Sequence, residues 1–126
     1  MKSICGFCNN QSGGTLIVGL NDKAKPTRYT VEADGFTNED QLLQWLAEQL
    51  VQWIGPAAAS LVKLNFESVG ESRVLVLRCR KERTPTYVKS PKQHQASEFF
   101  IRVGTTTRQV YGTDQLDYIR QWFPEV

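Results

Sequence analysis

The sequence predicts an α+β fold: a mixed or antiparallel sheet of about four or five strands packed with two long helices and a short N-terminal helix. One 16-residue segment in the first half, residues 39–54, has apolar residues at helical spacing. Two segments between residues 61 and 80 alternate apolar and polar residues around a short turn. The 126 residues, 40% of them apolar, suffice for one domain with its own core, so we predict a single domain over residues 1–126.

The first predicted elements are a helix over residues 1–8 and a strand over residues 15–20, joined by a glycine turn. Ile4, Phe7 and Cys8 suit one face of the helix. Gly13 and Gly14 end a run of turn formers, and we predict that they are the structural turn that leads the chain into the strand. The continuous apolar run "TLIVGL" predicts a strand buried on both faces.

The long helix is predicted from residue 39 to residue 54, with Thr37 or Asn38 as its N-cap. Gly55 and Pro56 end it. Its apolar stripe consists of Leu42, Leu43, Leu46, Leu50, Trp53 and Ile54.

A β-hairpin follows, with strands over residues 61–69 and 73–80. Alternation in the second strand puts Leu75, Leu77 and Cys79 on one face. The same alternation puts Val74, Val76, Arg78 and Arg80 on the other face.

The last third of the chain is predicted as an edge or irregular segment, a strand, a loop and a helix. Pro85 and Pro91 indicate the edge or irregular segment. "EFFIRV" (residues 98–103) predicts a strand with Phe99, Ile101 and Val103 inward and Arg102 outward. Residues 104–112 read as a polar loop. Residues 113–123 predict a helix whose inward residues are Leu116, Ile119, Trp122 and Phe123.

The glycine turn does not have the pattern of a phosphate-binding loop. Such a loop precedes a helix and carries a lysine after its glycines, whereas Gly14 is followed by Thr15 and a strand. A steric role for the two glycines is therefore favoured over nucleotide binding, and we predict no cofactor.

Three cysteines, Cys5, Cys8 and Cys79, are an odd number, which favours free thiols and a reducing, cytoplasmic location. A zinc or redox site at Cys5-x-x-Cys8 lacks a preceding strand and further ligands of suitable spacing, so buried apolar packing is favoured and no metal is predicted. His94, the single histidine, lies in a polar segment with nothing to orient it for catalysis. The chain has no apolar run of membrane-spanning length, so we predict no membrane partner.

Charge is distributed unevenly, although the net charge is only +2. Residues 73–108 carry nine Lys or Arg against Glu82 and Glu98, a net charge of +7 for this stretch. Tyr87 and Phe100 add rings on which bases could stack. An ordinary solvated face is the alternative, but the asymmetry favours DNA or RNA binding. The predicted contact residues are Arg78, Arg80, Lys81, Arg83, Lys89, Lys92, Arg102, Thr106 and Arg108.

Three stretches together resemble the Schlafen AlbA-type domain, often described as a DNA-binding domain of bacterial proteins. They are "ICGFCNNQSGGTLIVGLND", "DGF" at residues 34–36, and "TPTYVKSPKQHQASEFFIRVGTTTRQV" followed by "DQLDYI". The resemblance covers nearly the whole chain. It implies a small α+β module that binds DNA or RNA, commonly within a transcriptional regulator.

The sequence departs from the family pattern at its start. Family members begin upstream, with a strand that holds glutamates, so we expect the chain to be an N-terminally truncated fragment of a larger protein. In animal Schlafen proteins such glutamates and an aspartate near the position of Asp22 form a carboxylate cluster that cleaves RNA. Asp22 alone could not hold the metals for cleavage, so no enzyme activity is expected.

Two alternatives stay open from the sequence: a remnant of a metal-dependent ribonuclease, and a protein-interaction or oligomerisation domain. A missing first strand would leave a sheet edge open, and an open edge invites homodimerisation.

Overall fold

The computed structural model describes residues 1–18, 35–89 and 97–124, and these form the predicted α+β fold. The elements are α1 (Lys2–Cys8), β1 (Gly14–Val18), α2 (Glu39–Ile54), α3 (Pro56–Ala59), β2 (Val62–Val69), β3 (Ser72–Cys79), β4 (Tyr87–Val88), β5 (Glu98–Val103), β6 (Thr106–Gln109) and α4 (Gly112–Trp122). Of the helices within these ranges, none has the length and apolarity needed to cross a membrane.

The strands of the described residues form two antiparallel sheets of three strands each, whereas the sequence predicts one sheet of four or five strands. The first sheet has the order β1-β3-β2, and the second has the order β4-β5-β6. The chain leaves the first sheet after Cys79, because the backbone N–H of Glu82 donates to the carbonyl of Cys8 at the end of α1 (3.0 Å). Residues 80–86 therefore run along the end of α1 and do not extend the first ladder.

The prediction that β1 is buried on both faces is wrong. Ile17 is 44% exposed and Val18 is 40% exposed. In the described part of the chain β1 pairs with β3 alone, from Gly14 opposite Cys79 to Val18 opposite Leu75, so it is an edge strand. A β-branched apolar run predicts a strand, but it does not specify the position of that strand in the sheet.

Helix α2 has the predicted bounds, and Asn38 is its N-cap. The Asn38 side chain accepts a hydrogen bond from the backbone N–H of Gln41 (2.9 Å). The helix ends at Gly55, whose φ is +87°. Pro56 then begins the short helix α3, which the sequence analysis does not predict.

The main core lies between α1, α2 and one face of the first sheet. Leu42, Leu50 and Ile54 of the predicted stripe are buried, and Leu43, Leu46 and Trp53 are partly buried against this core. From α1 it receives Ile4, Cys5, Phe7 and Cys8, and from the sheet Val62, Leu75, Leu77 and Cys79. On the opposite face of β3, Val74 and Val76 are also buried, each 2% exposed.

Strand β5 has the predicted bounds, but its predicted inward and outward faces are wrong in part. Phe99 and Phe100 are both buried, at 1% and 4% exposure, because each face of β5 is covered at this point. Phe99 packs edge-on against Tyr118 of α4, with ring centroids 6.0 Å apart. Val103 is 49% exposed, and Arg102 is half-buried rather than outward.

The predicted loop over residues 104–112 is wrong, since Thr106–Gln109 is strand β6 and pairs with β5. Threonine favours strands, and this short edge strand is largely exposed, which gives it a polar sequence. In α4, Leu116 is 54% exposed, contrary to the prediction, while Ile119 and Trp122 are half-buried and Phe123 is buried.

Candidate nucleic-acid interface

A single buried asparagine, Asn9, forms hydrogen bonds with three other parts of the chain. Asn9, 0% exposed, follows the last residue of α1. Its Nδ2 donates to the carbonyls of Thr86 (2.8 Å) and Phe100 (2.9 Å), and its Oδ1 accepts from the Thr86 N–H (2.8 Å). The hydroxyl of Tyr118 donates to the backbone carbonyl of Asn9 (2.6 Å). Asn9 thus connects four parts of the chain: helix α1, residue Thr86 just before β4, strand β5 and helix α4.

The glycine turn lies against Cys79, the last residue of β3. Gly13 has a φ of +67°, and a Cβ added there would collide with the carbonyl oxygen of Cys79. A Cβ on Gly14 would collide with the ring of Phe7. The backbone of the turn therefore approaches its neighbours more closely than any other residue type would allow.

Residues 80–83 (Arg80, Lys81, Glu82 and Arg83), which we call the basic segment, run past the end of α1. Arg80 and Arg83 are exposed, and Lys81 is half-buried. Glu82 folds back: one carboxylate oxygen accepts from the Arg83 N–H (3.0 Å), and the other is buried without a hydrogen-bond partner among the described residues. The only acidic residue of the segment thus turns one carboxylate oxygen inward, whereas both arginines are exposed.

Beside the basic segment is a pocket of about 260 Å³, which we call the basic-aromatic pocket. The Lys81 ammonium lies 4.2 Å from the centroid of the Phe123 ring, a cation–π contact. Phe123 is only 2% exposed, so its ring is a rigid support for that charge. The pocket is lined by Lys81, Arg83, Trp122, Phe123 and Pro124.

Arg78, predicted to contact nucleic acid, is neutralised by a neighbour on the first sheet. Its guanidinium forms an ion pair with Glu67 (2.7 Å) and donates to Asn65 Oδ1 (3.0 Å). The hydrogen bond from Arg78 lowers the pKa of Glu67. On the other face of the same sheet, Arg73 pairs with Glu39 (2.7 Å).

Arg102 and Arg108 do not lie in the same sheet as Arg78, because β5 and β6 belong to the second sheet. The Arg102 guanidinium lies 4.9 Å from the Phe7 ring centroid and donates to Thr107 Oγ1 (2.9 Å). Arg108 is directly opposite Ile101, so it lies on the other face of β5 and β6. Arg78 and Arg102, both predicted to contact nucleic acid, therefore do not meet across one sheet.

The remaining predicted residues are dispersed. The backbone N–H of Lys89 donates to the carbonyl of Trp53 (2.9 Å), so Lys89 is near the end of α2, and its side chain is exposed. Thr106 is exposed and donates to the carbonyl of Val103 in the turn before β6 (3.0 Å). Lys92 lies outside the described residues, as do His94 and Asp22.

The sequence does not predict the buried hydrogen bonds of Asn9 or the position of Trp122 beside the basic segment. The sequence predicts Asn9 as a turn former, and no feature of it indicates that the Asn9 side chain is buried. It predicts Trp122 as a core residue. The i, i+4 spacing of Tyr118 and Trp122 is the available signal, and their rings are 6.3 Å apart along α4.

The three thiols are free and buried. Burial raises the pKa of Cys5 to about 11. The hydrogen bond with Cys79, together with burial, raises the pKa of Cys8 well above its usual range. Within the ranges that the structure describes, no three His, Cys, Asp or Glu side chains are grouped so that they could hold a metal ion.

Comparison with known proteins finds a family and a fold. The model of the family described as Schlafen, AlbA_2 matches residues 1–111. The fold is similar to the crystal structure of the DIP2311 protein from Corynebacterium diphtheriae, with a TM-score of 0.65 and 21% sequence identity. That match covers 96% of this chain but only 18% of the other, so this chain spans a small part of that protein's length. None of the curated proteins matches the sequence.

Proposed function

The chain belongs to the Schlafen AlbA_2 family, and on this premise we propose that it is a module that binds DNA or RNA through the phosphate backbone. The main observation behind this proposal is the exposure of the basic segment, residues 80–83. Arg80 and Arg83 are exposed on a backbone that hydrogen bonds to Cys8 and Asn9 hold in place, and one carboxylate oxygen of Glu82 is buried.

Comparison with the two arginines of β3 supports this assignment. Arg73 and Arg78 each form an ion pair with a carboxylate at 2.7 Å, so a phosphate would have to compete with that carboxylate for the guanidinium. In the described part of the chain, neither Arg80 nor Arg83 has such a partner. Guanidinium groups without a carboxylate partner can bind phosphate oxygens in a bidentate manner and release the counterions of the nucleic acid.

The test is a fluorescence anisotropy titration of labelled DNA and RNA, single-stranded and duplex, over a series of salt concentrations. Phosphate contact predicts that log Kobs falls linearly with log salt. In the Arg80→Gln/Arg83→Gln double variant we expect weaker binding on every sequence. The salt slope should become shallower by about one for each phosphate that an arginine no longer neutralises.

Arg73→Gln is the control, because it removes one positive charge, against two in the double variant, from a residue that already pairs with Glu39. If Arg73→Gln weakens binding as much per charge as the double variant, the basic segment is not the contact surface. If the wild-type protein binds none of the nucleic acids, or binds them without salt dependence, the proposed function is wrong.

We further propose that the module is a binding part, not a catalyst, of a longer regulator. Incubation of labelled RNA with the protein and Mn²⁺ or Mg²⁺ should leave the RNA intact, and cleavage that EDTA abolishes would contradict this. The pairing of two copies through a sheet edge stays a prediction.

A further inference from the structure

The basic-aromatic pocket has the composition of a nucleotide site. Of the five described residues that line it, two are cations, two are aromatic, and none is a carboxylate. At about 260 Å³ it can hold one small planar group and is far too small for a duplex. A base offers its flat face to a protein ring only when it is unstacked, as in a single strand or a loop.

The two cations are placed differently. Lys81 is fixed, since its ammonium lies 4.2 Å from the centroid of the buried Phe123 ring. Arg83 is exposed and follows the folded-back Glu82. A phosphate that contacts both would meet a point charge on Lys81 and the planar fork of the Arg83 guanidinium.

The Trp122 ring is ordered by a neighbouring ring and lines the pocket, where a base could stack on it. It ends a row of rings, Tyr87–Phe99–Tyr118–Trp122, with successive centroids 5.3, 6.0 and 6.3 Å apart. The Tyr118 hydroxyl anchors this row to the Asn9 carbonyl. Trp122 is half-buried and lines the pocket, so part of its surface remains free for a ligand. A ring that is already ordered loses little entropy when a base stacks on it.

We infer that the basic-aromatic pocket holds one unpaired nucleotide of a single strand, with its base against Trp122 and its phosphate against Lys81 and Arg83. This inference rests on the proposed function and deepens it: the module should prefer single strands or loops to duplexes.

The test uses Trp122 as its own reporter. The chain has three tryptophans, so the Trp45→Phe/Trp53→Phe protein retains Trp122 alone. Titration of this protein with oligothymidylate should quench the Trp122 emission in parallel with binding, because a stacked base quenches indole fluorescence. A duplex of equal length should bind more weakly and quench little.

Affinity measurements with substituted proteins complete the test. Trp122→Leu should weaken binding of oligothymidylate by about tenfold to a hundredfold, in line with the removal of one base–aromatic stack. Duplex binding should change by less than about twofold, because phosphate contacts dominate there. Trp45→Leu is the control, since Trp45 is 47% exposed on α2 and does not line the pocket. Should Trp122→Leu fail to fold, the quenching experiment and Lys81→Gln decide the question.

The outcomes separate the two proposals. If oligothymidylate binds with a steep salt dependence but does not quench Trp122, the pocket inference is wrong and the proposed function stands. If thymidine monophosphate or inorganic phosphate competes at the same concentration as the strand, the pocket is a small-anion site and the inference is overturned. If no nucleic acid binds at all, the proposed function fails, and the inference fails with it.

Discussion

Asn9 and Thr86 form a reciprocal pair of hydrogen bonds, each 2.8 Å long: Asn9 Nδ2 donates to the Thr86 carbonyl, and the Thr86 N–H donates to Asn9 Oδ1. The side-chain amide of Asn9 thereby takes the place of a neighbouring strand, because it satisfies both backbone groups of Thr86 just before β4. The two residues are 0% and 3% exposed, so water cannot replace these bonds. The path of the basic segment between the two sheets depends on this pair.

We expect Asn9→Asp to destabilise the fold by more than about 3 kcal/mol, because it removes the amide donor from the carbonyls of Thr86 and Phe100 and buries a carboxylate. The Thr86 carbonyl would keep only the weak donor of the Cys5 thiol (3.1 Å). Urea unfolding followed by circular dichroism measures the change.

Asn10→Asp is the matched control for this substitution. Asn10 is half-buried, and its Nδ2 donates only to the Gly13 carbonyl (2.9 Å), so removal of this bond should cost about 0.5–1.5 kcal/mol. Equal losses of unfolding free energy in the two variants would show that the hydrogen bonds of Asn9 to Thr86 and Phe100 stabilise the fold no more than the single bond of Asn10.

The glycine turn gives a second prediction. Gly13 and Gly70 have nearly the same φ, +67° and +62°, but an added Cβ would meet the backbone of Cys79 only at Gly13, and open space at Gly70. Gly70→Ala should cost about 1–2 kcal/mol, the cost of a left-handed alanine. Gly13→Ala should cost at least about 2 kcal/mol more, because a backbone carbonyl in a ladder cannot move aside cheaply. Similar melting temperatures for the two variants would contradict the close approach at Gly13.

Tyr118→Phe should destabilise the protein by about 1–3 kcal/mol, because the buried Asn9 carbonyl loses the hydroxyl that lies 2.6 Å away. Tyr111→Phe is the control: Tyr111 is 73% exposed and should tolerate the change. Burial raises the pKa of Tyr118. In an ultraviolet titration, Tyr118→Phe should therefore remove a phenol that ionises above the ordinary pKa of tyrosine, and thermal melts measure the stability.

The sequence predicts best those structural features that depend on residues close to one another in the chain. The bounds of α2 follow from residues within one turn of one another: Asn38 as cap, the apolar stripe, and Gly55 as stop. The faces of β5 could not be predicted, since Phe99 and Phe100 are adjacent and both apolar, and alternation cannot choose between them. Only the packing of α1 and α4 on opposite faces of β5 explains why both are buried.

The grouping of the charged residues is predicted less well than the fold, because charge along the chain does not specify which charges are paired. The ion pair between Arg78 and Glu67 depends on the register of the β2–β3 ladder, in which Arg78 lies opposite Lys63. Arg83 and Trp122 are far apart in the sequence, and they meet in one pocket only once α4 has packed beside the basic segment.

The ion pair between Arg73 and Glu39 gives a pH-dependent prediction. The hydrogen bond and charge of Arg73 lower the pKa of Glu39 from its ordinary value of 4.5. A carboxyl group whose pKa is lowered in the folded state stabilises the fold above its unfolded pKa, and this stability is lost as the pH falls through the folded pKa. Arg73→Gln should therefore lower the urea midpoint slightly at pH 7, and the difference from wild type should shrink below pH 4.5.

Arg80→Gln, which removes a charge with no carboxylate partner among the described residues, should show no such pH-dependent difference. The Arg73 contribution should also decrease in high salt, because both side chains are substantially exposed. If the difference between Arg73→Gln and wild type is the same at pH 7 and pH 3, the stabilising contact of Arg73 is not with the ionised carboxylate. In that case its other hydrogen bond, to the Ser68 hydroxyl at 2.9 Å, must provide the stabilisation, since that bond does not depend on the charge of Glu39.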